Sequence, residues 1–110
     1  MGKISKKPFC IKLKKRKRFR RLLGKPGIDR DLRSGVVILK PSEAVGEHET
    51  TGKEEVIIVL KGKVTVYYGK GGQILAQQGS FVYIPPNTLH NLKNTGKGIL
   101  QYVYVTNKVA

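Results

Sequence analysis

From Ser34 onward, short apolar stretches alternate with Gly, Pro and Asn turns. Residues 36–40 read as an apolar strand ended by Pro41, and residues 43–50 as a polar, extended segment. Thr51-Gly52-Lys53 reads as a turn. Residues 56–60 form an unbroken apolar run, which predicts a strand buried on both faces. Gly62 interrupts it, residues 64–68 form the next strand, and Gly69-Lys70-Gly71-Gly72 is a hairpin loop. Strands over 74–76, 81–84, 89–92 and 99–106 follow, separated by Gln78-Gly79, Pro85-Pro86-Asn87 and Asn94-Thr95-Gly96. No helical periodicity of useful length occurs after Gly24. Many short strands with regular turns predict an all-β sandwich or barrel over residues 34–110.

The first 33 residues differ in pattern. Phe9, Ile11 and Leu13 alternate with Cys10, Lys12 and Lys14, the period of a half-buried strand. Phe19, Leu22 and Leu23 are spaced i, i+3, i+4, which predicts one or two turns of helix stopped by Gly24 and Pro26. Residues 1–33 are therefore read as an extension, a strand plus a short helix, that packs on the barrel or on a partner subunit.

Charge sharpens this division. The chain has 110 residues, one domain's worth, with 22 Lys and Arg against 7 Asp and Glu, a net charge of +15. Residues 1–33 hold 14 basic and 2 acidic residues, and every arginine lies before Ser34. Lys14, Lys15, Arg16, Lys17, Arg18, Arg20 and Arg21 form a run that would attract nucleic acid or another polyanion by counterion release. The competing reading is a solvated edge whose lysines discourage strand-to-strand aggregation. The basic start precedes no apolar signal-peptide core, and no apolar run approaches the ~20 residues of a membrane span. A single cysteine, Cys10, excludes a disulfide framework within the chain. The expectation is a cytoplasmic protein without a membrane partner.

Candidate chemistry rests on two histidines, His48 and His90, with the acidic pair Glu54-Glu55 between them. A strand, a tight turn and a returning strand would set His48 beside Glu55, both facing inward. Ser42, His48, Thr50, Glu55 and Gly62, followed by Gly79, Pro85, Asn87, His90 and Asn94, stand at the spacings of two motifs of the cupin family. Seven of these ten positions carry the family's residue, and the chain resembles a small single-domain cupin. The resemblance implies a cupin-type jelly-roll β-barrel. It implies one divalent metal, Fe, Mn, Ni, Co or Zn, held by His48, Glu55 and His90. The spacing to Gly62 selects Glu55, although the looser form of the motif admits Glu54.

Three departures bear on function. Ser42 and Asn87 stand where the family has turn glycines, and Thr50 replaces the second histidine of the metal set. Two imidazoles and one carboxylate remain, leaving coordination positions for water or substrate. Related cupins include sugar isomerases and epimerases, dioxygenases and lyases, so the resemblance implies a metal-dependent enzyme acting on a sugar or another small polar substrate. The alternative is a binding cupin that has lost its metal and holds a small molecule without chemistry. Thr50 and Asn94 are candidates to support the histidines, and Tyr83, Tyr102 and Tyr104 to line the pocket. Small cupins often form homodimers, and Phe9, Ile11 and Leu13 would suit a strand added to a neighbouring subunit.

Overall fold

Alternation of apolar and polar positions builds two antiparallel sheets in a computed structural model that describes residues 7–13, 18–24 and 31–109. The strands are β1 (Phe19–Leu23), β2 (Arg33–Leu39), β3 (His48–Glu49), β4 (Lys53–Lys61), β5 (Lys63–Tyr68), β6 (Gly72–Gln77), β7 (Phe81–Ile84), β8 (Leu89–Lys93) and β9 (Leu100–Lys108). One sheet has the order β1-β2-β9-β4-β7, the other β3-β8-β5-β6. This is the jelly-roll barrel that the turn spacing and motifs predict. Among the described residues there is no helix.

The core lies between the sheets. Val37, Leu39, Ile57, Val59, Leu100 and Tyr102 enter from the first sheet, and Val64, Val66, Ala76 and Leu92 from the second. In β4 the inward positions are Glu55, Ile57 and Val59, whereas Ile58 and Leu60 are 37% and 38% exposed. The expected burial of residues 56–60 on both faces is thus corrected. No layer covers the outer face of this strand, so its side chains divide between core and solvent.

The predicted helix at Phe19, Leu22 and Leu23 is a strand. β1 pairs antiparallel with β2, Phe19 opposite Val37 and Arg21 opposite Gly35, and Ile38 N–H donates to Arg18 O at 2.8 Å. A helix this short cannot offset its nucleation cost, while an open β2 edge satisfies the backbone directly. A register shift between Arg21 and Leu23 accommodates the consecutive leucines. Phe9, Ile11 and Leu13 form no strand, and the chain there is held by Arg20 Nη1 donating to Lys12 O at 3.0 Å. Lys14 to Lys17 and Pro26 lie outside the described residues.

The turn positions explain the motif departures. Ser42 (φ 66°) and Asn87 (φ 57°) are the two non-glycine residues with left-handed backbone among those described. They occupy the family's glycine positions, so the backbone shape is kept although the side chain is not. Gly62 keeps both. Its φ is 84°, and a Cβ there would collide with the carbonyl oxygen of Ile99.

Asn94, fully buried, fastens the loops at one end of the barrel. Its Nδ2 donates to Leu39 O and Gly98 O, both at 2.9 Å, and its Oδ1 accepts from Gly96 N–H at 2.9 Å. Its backbone exchanges bonds with Ser42 and Glu43. Two outcomes follow. Ser42→Gly should raise the unfolding free energy by about 0.5–1 kcal/mol, because relief of left-handed strain exceeds glycine's entropy cost. Asn94→Ala should lower it by about 3 kcal/mol, since it orphans two carbonyls and one N–H. Equilibrium urea denaturation reads both.

Candidate metal centre

Three strands position the candidate ligands. β3 pairs with β8 so that His48 faces His90, with ring centroids 4.2 Å apart and planes tilted by 58°. Glu55 arrives from β4, in the opposite sheet. One ligand atom from each of His48, Glu55 and His90 can be chosen so that all lie within 4.8 Å of one another, a group that can hold a metal ion. Glu54, one residue earlier, points outward and accepts a hydrogen bond from the Tyr83 hydroxyl at 3.0 Å. Strand alternation therefore selects Glu55.

The far nitrogens are already committed. His48 Nδ1 bonds Gly46 O, and His90 Nδ1 bonds Thr88 O, each at 2.9 Å. A carbonyl only accepts, so both Nδ1 atoms carry the proton and each neutral ring presents a bare lone pair at Nε2. His90 Nε2 is buried, has no aligned hydrogen-bond partner, and lies 3.2 Å from Glu55 Oε1. With a neutral ring, two acceptors would face one another, the ring nitrogen buried and the carboxylate at the cavity wall, and a proton or a metal ion between them would satisfy both. The donor set of two imidazoles and a carboxylate suits a first-row divalent ion. His90 titrates accordingly. Burial alone would push its pKa down, but the Glu55 carboxylate and the Thr88 carbonyl outweigh it and the net shift is upward.

Thr50 occupies the place of the family's second histidine, and its hydroxyl is already engaged. It donates to Pro85 O at 2.8 Å and accepts from Thr88 N–H at 3.2 Å. Thr50 thus ties down the turn whose Thr88 carbonyl orients His90. Asn94 supports neither histidine, because its bonds go to Leu39, Gly96 and Gly98. Tyr83 does not line the pocket. It sits on the outer face of β7, half exposed, where the bond to Glu54 raises its pKa. Both were expected at the site. A residue number gives strand parity only after the strand's inward face is known, and β7 faces inward with Val82 and Ile84.

Tyr102 and Tyr104 do line a cavity of about 310 Å³ beside His48, Thr50 and Glu55. Burial raises both phenols. At Tyr104 the guanidiniums of Arg21 and Arg33 oppose that shift, and at Tyr102 Arg18 does, while Glu55 adds to it at both. The cavity has walls the sequence reading missed, among them Phe19, Val37, Val45, Lys53 and Leu92. Phe19 stacks on Tyr104 at 6.1 Å between centroids with planes 12° apart. Reading residues 19–23 as a strand paired with β2 would have found it, since Phe19 then stands opposite Val37 of the cavity wall.

Of the described arginines of the basic run, Arg18 ties the extension to the barrel, and Arg20 and Arg21 make contacts within the extension. Arg18 donates to Ala44 O at 3.0 Å and pairs with Glu43 at 3.5 Å. Arg20 bonds Lys12 O, and Arg21 bonds Gly24 O while its guanidinium lies 5.7 Å from the centre of the Phe19 ring.

A family model described as a cupin domain matches residues 35–106. No curated protein sequence matches the chain. Among solved structures, the cupin domain of Schizosaccharomyces pombe Cnp3 superposes with a TM-score of 0.73 at 16% identity, over 83% of this chain and 64% of that one. The chain thus spans less than two thirds of that domain's length. A Thermotoga maritima protein described as a predicted oxalate decarboxylase gives 0.73 at 23% identity, over 83% and 79% of the two chains. A Methanocaldococcus jannaschii RmlC-like cupin with a double-stranded β-helix fold gives 0.71 at 18%, over 88% and 87%. At these identities the likeness establishes the fold.

The raised pKa of His90 sets a pH dependence in protein treated with chelator. The charged ring's stabilising contribution is fully present below the ordinary imidazole pKa of 6.5 and is lost as pH rises through the higher folded value. Proton NMR should place the His90 midpoint above 6.5, and Glu55→Gln should move it down.

Proposed function

The chain belongs to the cupin family, and from that premise we propose that it binds one divalent first-row metal ion inside the barrel and presents it to a small molecule in the adjoining cavity. His48 and His90 would supply their Nε2 lone pairs and Glu55 its carboxylate. The observation that carries this reading is the buried, unpartnered Nε2 of His90 facing a carboxylate oxygen at 3.2 Å. The bound ion would supply Lewis acidity, polarising an oxygen of the ligand.

The chain's own residues do the rest. The carbonyls of Gly46 and Thr88 hold the two rings in the tautomer that leaves Nε2 free. The 85–88 turn, pinned by Thr50, fixes the carbonyl that orients His90. Tyr102, buried and with its pKa raised, keeps a protonated hydroxyl in the cavity wall. Three protein ligands would leave open positions on a bound ion, which favours a ligand-binding or catalytic centre over a closed structural one.

A second reading has its own support. With Thr50 engaged by the backbone and, among the described residues, no fourth side chain in the group, a shared proton between His90 and Glu55 can stand in for the metal. The protein would then be a metal-free binding cupin. Mass spectrometry of metal in untagged protein separates the two. Near-stoichiometric metal, lost in both His48→Ala and His90→Ala, is expected. No uptake after incubation with Fe(II), Mn(II), Ni(II), Co(II) or Zn(II) would sink the metal reading and leave the proton-sharing pocket.

A further inference from the structure

The cavity's walls and its mouth differ in chemistry, and both come from strand register. On the first sheet, inward positions follow Val37 and Leu39 on β2, Leu100 and Tyr102 on β9, and Ile57 and Val59 on β4. Alternation carries that face outward to Gly35 and Arg33, to Tyr104 and Thr106, and to Glu55 and Lys53. Arg33 lies opposite Thr106, which lies opposite Glu55. On β1, Phe19 lines the cavity and Arg21 follows two residues later on the same face.

Part of the lining is therefore apolar, formed by Phe19, Val37, Val45 and Leu92 with the Tyr102 and Tyr104 rings, beside the polar His48, Thr50 and Glu55. Gly35 makes this wall possible. A Cβ there would come within 2.6 Å of the Tyr104 ring, so the ring lies directly over the β2 backbone and meets Phe19. Lys53 lines the cavity, and register puts Arg21 beside Gly35 and Arg33 beside Thr106 on the same face, Arg21 with one donor spent on Gly24 O. Among the described residues, none of the three has a carboxylate within salt-bridge distance. The anions there are Glu55, in the histidine group, and Glu49, whose Oε2 accepts from the Thr51 hydroxyl. Glu43 and Glu54 are engaged elsewhere, by Arg18 and Tyr83.

We propose that the cavity takes a small organic carboxylate with an apolar body, the body against Phe19 and Tyr104 and the carboxylate at the cationic mouth of Arg21, Arg33 and Lys53. A sugar would set part of its hydroxyls against Phe19, Val37, Val45 and Leu92, which offer them no partner, and burying unpaired hydroxyls is costly. The volume of about 310 Å³ corresponds to roughly ten water molecules, enough for a single ring with one acidic group. β1 is part of this site, so the basic extension helps to choose the ligand as well as to cover the barrel. The inference rests on reading the cavity as a small-molecule site, and is independent of whether the histidine group holds a metal or a proton.

The test is titration calorimetry of the full chain with benzoate, oxalate and benzyl alcohol, with and without chelator, and with metal measured on the same samples. Benzoate should bind at least about tenfold tighter than benzyl alcohol, which lacks the charge, and than oxalate, which lacks the apolar body. Phe19→Ala should weaken benzoate about five- to tenfold. Arg21→Gln combined with Lys53→Gln should weaken benzoate and leave benzyl alcohol unchanged. Phe19→Leu, which keeps volume in the wall, guards against a fold defect and should weaken benzoate less than Phe19→Ala. Oxalate binding as tightly as benzoate, variants without effect, or no saturable benzoate binding up to about 10 mM would overturn the proposal. Metal content, read separately, reports on the metal centre alone, so the two readings fail independently.

Discussion

A buried imidazole lone pair and a carboxylate oxygen 3.2 Å apart repel one another unless a cation lies between them, and that constraint, at His90 and Glu55, shapes the site of this barrel. The two residues come from opposite sheets, so their contact lies where the layers close on each other. Around it, backbone carbonyls rather than side chains set the proton positions, at Gly46 for one ring and Thr88 for the other. Backbone acceptors cannot ionise. The tautomers are thereby fixed, and among the described residues the titratable groups left against the buried ring are the carboxylate and the His48 imidazole.

The ligand group was legible in the sequence because its spacing follows turn geometry. A left-handed residue at 42 and at 87, a glycine forced by Ile99 at 62, and the β3–β8 register together bring His48, Glu55 and His90 to one place. Ser42 and Asn87 show that a motif glycine marks a backbone angle first and a residue type second. What the spacing did not reveal is direction. Asn94 matched its motif position and serves the loops rather than the histidines. Tyr83 alternated correctly and faces out, since the parity of β7 is set by Val82 and Ile84. The 19–23 segment was misread because its apolar positions fit a helix, while the free edge of β2 decides the matter and no local pattern encodes that edge.

That edge strand also widens the boundary of the working domain. The family match begins at residue 35, inside β2, yet β1 lies ahead of it and puts Phe19 into the cavity wall. Arg18, bonded to Ala44 O and paired with Glu43, ties the same strand to the rim. Charge that looks in the sequence like a detached basic arm is, at this position, part of the barrel's rim.

Thr50 holds the turn that aims His90 twice over. Its hydroxyl bridges Pro85 O and Thr88 N–H, and its backbone accepts from Asn87 N–H at 3.0 Å and donates to Thr88 O at 3.4 Å. The side chain can therefore change without freeing the turn, and what a histidine at this position would forfeit is two bonds of local order rather than the aim of the neighbouring ring.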